Sequence, residues 1–278
     1  MLIIDCHAHI YSEDEKQYPP IENPYRPPPG KGTLAHLHRE MTGAGVSYAT
    51  AIQTSTFYKW DNRFTVAASK VNRAWLAGVC TLDPDDPHSP GLLEQYVREA
   101  NVRGLRSIPA ASGKLADPGV LTLWRTAQKL GIVVNVLVNR DKRGELAELL
   151  EKHRGLRVVL DHCLNIAAGE QLEATLADVV ALAEHPNLYA KLTFVPTGSA
   201  QEYPCRDLHD ACHVVIEAFG ADRCVWGSDF PCELWCPKVT YRQHLKLFTD
   251  ELGLDPAAKA AILGQTARRL WFADREEK

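Results

Sequence analysis

Short runs of aliphatic and β-branched residues recur along the chain, separated by longer stretches in which apolar residues return every three or four positions. The first pattern fits strands and the second fits amphipathic helices. Eight runs read as strands: residues 2–9, 46–53, 75–82, 102–108, 132–138, 156–161, 188–194 and 224–227. Helical spacing covers 33–42, 117–130, 143–153, 172–184 and 208–219, and the chain closes on 239–252 and 256–271. Strands joined through helices form parallel sheets, because the crossover returns each strand in the same direction. Eight such units point to an α/β fold of the (β/α)8 TIM barrel type, formed as one distorted domain over residues 1–278. A doubly wound open sheet is the alternative. Against it, no strand is followed by GxGxxG or GxxxxGK(S/T), the loops that cradle phosphates in such sheets.

One segment breaks the alternation. Residues 18–32, YPPIENPYRPPPGKG, hold six prolines and cannot be helical. In a barrel the segment follows the first strand, on the face where active sites lie. We therefore expect a semi-rigid lid or pocket wall near the active-site mouth, rather than a partner-binding tail.

Composition narrows the function classes. Hydrophobic residues make up 45% and charged residues 24% of the chain, as in globular proteins, which excludes disorder and collagen-like repeats. The net charge of −4 gives no basic field for nucleic acid or an anionic membrane. The start, MLIIDCHAHI, lacks the basic region of a secretory signal. Eight cysteines without a CxxC pair suit reduced thiols, so a cytoplasmic enzyme is expected.

The densest chemistry lies in Asp5-Cys6-His7-Ala8-His9. A strand alternates sides with period two, so Asp5, His7 and His9 are expected to face the barrel interior, with Leu2, Ile4, Cys6 and Ala8 packed against helices. Two imidazoles one strand repeat apart can reach one metal ion. His162 follows the sixth strand and Asp229 follows the eighth. Singly, each is an ordinary turn or cap residue. Together His7, His9, His162 and Asp229 make a mononuclear site for one divalent metal, zinc or manganese, with a position left for water.

Other residues are candidates for weaker reasons. Arg106 ends the fourth strand and suits a bidentate clamp on a substrate carboxylate, a surface ion pair being the ordinary alternative. Arg140 is a second choice for that role. Thr54 and Ser55 end the second strand and could donate hydrogen bonds to substrate. Cys205, His209, Cys212 and His213 have helical spacing and could hold zinc, although ordinary packing is the better reading. Cys232 and Cys236 flank Trp235 beside the expected site, as pocket or oxidant-sensitive thiols or as inert buried ones. Trp226, Trp235 and Tyr203 are candidate pocket walls. No GxSxG nucleophile elbow is present.

DCHAHI (5–10), LDHC (160–163) and WGSDFP (226–231) resemble motifs of the amidohydrolase superfamily. More narrowly, they resemble the amidohydrolase-2 group of metal-dependent hydrolases, which includes 2-pyrone-4,6-dicarboxylate lactonase and other lactonases. YRPPPG (25–30), WDNRF (60–64) and VRGLRSIP (102–109) agree with that group. The resemblance implies a distorted (β/α)8 barrel with its site at the C-terminal mouth, and it places His7, His9, His162 and Asp229 at metal-ligand positions. Two departures stand out. The fifth strand, Val133 to Leu137, offers no Lys, His or Glu, which disfavours a binuclear site bridged by a modified lysine. Cys232 stands where the group usually carries a histidine, which affects the substrate pocket. Some members of the lactonase branch work without metal, so a metal-free variant stays open.

The expected activity is hydrolysis of a lactone or similar cyclic ester by an activated water. Asp229 would be the proton acceptor and His162 a ligand or oxyanion stabiliser, and the substrate is expected to be a small carboxylated lactone. The alternatives are non-oxidative decarboxylation of an aromatic or unsaturated acid, and a non-catalytic metal-binding barrel. Self-association is compatible with the sequence but not indicated by it.

Overall fold

The computed structural model describes residues 1–274, and the last four residues of the expected domain lie outside the described residues. All eight expected strands form: β1 (Ile4–Ala8), β2 (Tyr48–Ile52), β3 (Leu76–Thr81), β4 (Val102–Ser107), β5 (Val133–Val136), β6 (Val158–Leu160), β7 (Leu188–Lys191) and β8 (Cys224–Val225). They pair in parallel and in sequence order. The two outer strands meet as well. Cys6 N–H donates to the Trp226 carbonyl at 3.1 Å and His9 N–H to the Phe230 carbonyl at 2.7 Å, which closes the sheet into the expected barrel.

The connecting helices follow local signals. Leu34–Ala44 begins at Thr33, whose hydroxyl accepts from His36 N–H, and ends at Gly45 in the left-handed conformation. Pro118–Leu130 begins at Asp117, whose carboxylate accepts from Gly119 N–H. Helices Arg63–Val71 and Ser89–Glu99 were not singled out by apolar spacing. The two C-terminal helical patterns are broken by wider turns at Leu247–Glu251 and Ala261–Gln265. Among the described residues, no helix is long and apolar enough to cross a membrane.

The core has two parts. The larger lies between sheet and helices and includes Leu37, Trp124, Leu149, Val179 and Phe248. The smaller gathers Ile4, Cys6, Tyr48, Ala77, Val133, Val159 and Val225 with Leu270 and Trp271. Side chains from six strands meet in this way only inside a barrel, so helix Thr266–Trp271 plugs its floor.

This arrangement corrects the expected facing of β1. Ile4 and Cys6 point inward, and Asp5 reaches out of the barrel to Ser228 and Tyr241. The cause is an irregularity in the register: Asp5 pairs with Ala49 and Ala8 with Ala51, so three steps along β1 match two along β2. An inserted residue of this kind slips the alternation, and His7 and His9 end up facing the interior although Cys6 does too.

Candidate active site

β1 carries His7 and His9 to the C-terminal end of the barrel, and β8 delivers Asp229 beside them. His7 Nε2 lies 3.2 Å from His9 Nε2 and 3.3 Å from Asp229 Oδ1, and His9 Nε2 lies 3.7 Å from the same oxygen. These are the only three or more His, Cys, Asp or Glu side chains among the described residues whose ligand atoms cluster, all within 4.8 Å of one another. Gly227 permits the approach, since a Cβ there would stand 2.7 Å from His7 Cβ.

Two site residues sit in uncommon backbone conformations. Asp229 has φ 52° and His162 has φ 54°, and residues 162–165 form a left-handed turn at the end of β6. Such conformations cost on the order of 1–3 kcal/mol each and persist where surrounding structure holds them. The turn places the His162 ring 4.8 Å from the His7 ring, with its Nδ1 2.7 Å from the Thr193 hydroxyl. His162 is thus brought to the site, although its ligand atoms do not join the tight group of three.

Burial controls the charges. Loss of water lowers the pKa of His9 and of His162 to about 3 and that of His7 well below its usual value, so all three imidazoles are neutral. The same burial raises Asp229 to about 7, against a smaller pull downward from Arg106.

Neutral imidazoles beside a carboxylate are the donor set a divalent cation requires. His9 fits directly: its Nδ1 faces the Ile52 carbonyl at 2.9 Å, which fixes a hydrogen there and leaves the Nε2 lone pair toward the site. At His7, an ion on Nε2 requires the ring hydrogen on Nδ1, with Asp161 Oδ1, 3.8 Å away, on that side. Lys191 Nζ also stands 3.2 Å from His7 Nδ1. A hydrogen donated from Lys191 instead puts the ring hydrogen on Nε2, directed at His9 and Asp229.

Sequence reasoning missed the polar layer beneath. Lys191 on β7 is completely buried, with Nζ 2.7 Å from Asp161 Oδ1. Asn135 on β5 donates to the same oxygen at 3.2 Å, and Arg106 Nε lies 3.3 Å from Asp161 Oδ2. Burial alone would raise Asp161, but Lys191 and Arg106 outweigh it and hold the carboxyl below its usual value. The available signal was Asp161 itself, an acid at an inward position of an otherwise apolar strand.

A cavity of about 840 Å³ opens above these groups, lined by His9, Thr54, Ser55, Arg106, His162, Asp229 and Trp235 among others. Arg106, Thr54 and Ser55 therefore lie at the pocket. Trp235 lines it too, its ring 5.4 Å from that of His9. The proline-rich segment braces this wall from behind: Tyr25 packs on Trp235 at 5.1 Å, and its N–H donates to the Thr56 carbonyl.

Other candidates lie elsewhere. Trp226 is buried outside the barrel and donates to His244 Nδ1, and the Tyr203 hydroxyl donates to Glu251. Arg140 forms a surface ion pair with Asp178 at 2.6 Å. Cys205, His209, Cys212 and His213 do not gather as ligands: His209 Nε2 faces the Pro204 carbonyl, and Cys205 and Cys212 are buried. Cys232 and Cys236 both direct their thiols at the Ser228 carbonyl, and the neighbouring Cys236 thiol together with burial holds Cys232 well above its usual value.

Comparison with known proteins agrees with this architecture. An L-fucono-1,5-lactonase of Burkholderia ambifaria is 23% identical over 299 residues, covering 98% of this chain and 96% of that protein. A structure described as a probable 2-pyrone-4,6-dicarboxylic acid hydrolase of Acinetobacter baumannii, with citric acid bound, superposes with a TM-score of 0.82 at 19% identity, over 98% of this chain and 99% of the other. A zinc-bound amidohydrolase of Burkholderia multivorans gives a TM-score of 0.77 at 22% identity, over 98% and 99%. At these identities the structures share the fold. The amidohydrolase family model matches residues 4–273, from β1 through the helix that plugs the barrel floor, and a chain so matched over nearly its whole length, with the HxH pair and the strand-eight aspartate in contact, belongs to the amidohydrolase family.

Proposed function

We propose that this chain is a hydrolase that opens a lactone ring. The observation that carries the reading is the convergence of His7, His9 and Asp229 at the inner end of one large pocket. Family membership and the full-length similarity to a lactonase support it. One divalent cation, zinc or manganese, held by His7, His9, His162 and Asp229, would supply Lewis acidity and lower the pKa of a coordinated water to about 7.

The remaining roles belong to the chain. Asp229, with a pKa near neutrality, takes a proton from water and returns it to the leaving ring oxygen. His162, held at Nδ1 by Thr193, is a ligand or a neutral donor to the carbonyl oxygen. Arg106 orients a substrate carboxylate. Arg106 faces Asp161 from within the barrel and also lines the pocket, where its remaining N–H groups can meet a substrate carboxylate. Thr54 and Ser55 add hydrogen bonds.

The test is a panel of carboxylated and neutral lactones assayed with purified protein, with and without a chelator. Ring opening is expected, and Asp229→Asn is expected to lower kcat by about 10²–10⁴-fold with the fold intact by circular dichroism. Normal turnover in that variant removes Asp229 from the chemistry. Equal rates on the two lactone classes remove the Arg106 clamp.

A further inference from the structure

A histidine that holds a metal ion donates its second ring N–H to a carboxylate or carbonyl, which orients the ring and leaves the other nitrogen's lone pair for the ion. His9 has such a partner in the Ile52 carbonyl. His7 has a carboxylate nearby but not the contact. Asp161 Oδ1 lies 3.8 Å from His7 Nδ1, beyond hydrogen-bond length. The Lys191 ammonium takes both partners instead, at 2.7 Å from that oxygen and 3.2 Å from that nitrogen. Asp161 Oδ1 also accepts from Asn135 Nδ2 at 3.2 Å. His7, Asn135, Asp161 and Lys191 are all completely buried, and Lys191 Nζ lies 5.7 Å from the centroid of the Trp271 ring on the barrel floor. An ammonium enclosed in this way has no solvated position to withdraw to.

An ammonium donates and never accepts. Bonded to the lone pair of His7 Nδ1, it leaves a neutral ring with its one hydrogen on Nε2. That nitrogen faces His9 Nε2 at 3.2 Å and Asp229 Oδ1 at 3.3 Å. Both can accept, because His9 keeps its own hydrogen on Nδ1, toward Ile52. His7 therefore presents a hydrogen where an ion needs a lone pair. The other tautomer, with the hydrogen on Nδ1, directs an N–H at the ammonium and leaves Asp161 too far away to accept it. Moving the hydrogen between the two nitrogens changes no charge. We propose that Lys191 is a positioning residue that fixes the hydrogen of His7 on Nε2 and so holds down the site's affinity for a divalent ion, which binds only once that hydrogen moves to Nδ1. The inference rests on the metal ion of the proposed function and is independent of the substrate.

The test uses zinc as the probe and involves no turnover. Calorimetry measures zinc binding to chelator-treated protein. Lys191→Met frees Asp161 to accept the His7 Nδ1–H and is expected to tighten the zinc Kd by about tenfold or more, the scale on which such partners act. Arg106→Met removes a positive charge that faces Oδ2 of the same carboxylate at 3.3 Å, so it reports the effect of charge alone and is expected to tighten binding less. Nitrogen-15 spectra read the rings directly in the wild type, since imidazole nitrogens with and without a hydrogen resonate far apart. The signals are assigned by their loss in His7→Gln and His9→Gln. In chelated protein His7 is expected to carry its hydrogen on Nε2 and His9 on Nδ1, and in zinc-loaded protein both carry it on Nδ1. A His7 hydrogen on Nδ1 in the chelated wild type overturns the role of Lys191, as does zinc affinity unchanged in Lys191→Met or tightened equally in the two variants. Should Lys191→Met not fold, the tautomer of the wild type decides. A wild type that shows these tautomers and binds zinc yet opens no lactone supports the role of Lys191 and sinks the lactonase reading alone.

Discussion

Lys191 is completely buried, yet the residues around it in the sequence do not mark it as such. A lysine in LYAKLTF reads as a solvated strand position, because an isolated buried ammonium is prohibitively costly. Its burial is tolerable only because Asp161, contributed by another strand, meets it at 2.7 Å. Sequence spacing carries no trace of a partner thirty residues away. Removing the lysine alone leaves Asp161 with Arg106 as its remaining cation. Lys191→Met is therefore expected to lose about 3–5 kcal/mol in urea unfolding, as when one partner of a buried pair is deleted. The double variant Lys191→Met/Asp161→Leu is expected to recover much of that loss, which a double-mutant cycle reads directly. A single-variant loss below about 1 kcal/mol would mean that the pair is solvated. By contrast, His7, His9 and Asp229 were legible, since an imidazole pair closing an apolar strand and an acid closing another are local patterns.

Among the elements, β1 is where the sequence pattern and the structure part. Strict alternation gave the correct inward facing for His7 and His9 but the wrong side for Ile4, Cys6 and Asp5, since an irregularity depends on how the neighbouring strand pairs. The eight strands were legible because β-branched runs end at clear turn residues. The wider turns in the last helices were not, because their apolar spacing still looks helical. The slip gives Asp5 a structural task. Its carboxylate accepts from His7 N–H, Ser228 N–H, the Ser228 hydroxyl at 2.6 Å and the Tyr241 hydroxyl, and so ties β1 to the loop that presents Asp229. An amide has one acceptor oxygen and turns its NH2 toward some of those donors. Asp5→Asn is expected to cost about 1.5–3 kcal/mol, the scale of a hydrogen bond to a charged group, and to lower kcat by loosening Asp229. Unchanged melting temperature and kcat would show that the seam holds without Asp5.

At the scale of the whole molecule, the barrel works as a dry container. Its floor is closed by Trp271 and one wall of its mouth by Trp235 braced on Tyr25, so His9, His162 and Asp229 are buried while bordering the cavity that substrate enters. That burial neutralises His9 and His162 down to about pH 3 and moves Asp229 to about 7. Of these three groups, only Asp229 changes charge between about pH 5 and 8. Its raised pKa sets the sign of two measurements. A base must be ionised to accept a proton, so kcat/KM of chelator-treated protein that retains activity is expected to climb about tenfold per unit up to pH 7 and then level. Loading zinc or manganese favours the carboxylate and is expected to shift this limb to lower pH. Stability runs the opposite way. A carboxyl whose folded pKa exceeds its unfolded value of 3.8 costs nothing below that value, and the cost grows as pH rises toward 7, where the buried charge forms. Asp229→Asn removes that charge, so its melting temperature in chelator is expected to exceed that of the parent at pH 8 and to match it near pH 4. A flat rate profile through pH 7, together with equal melting temperatures at both pH values, would place Asp229 in contact with water and remove the container as the source of its basicity.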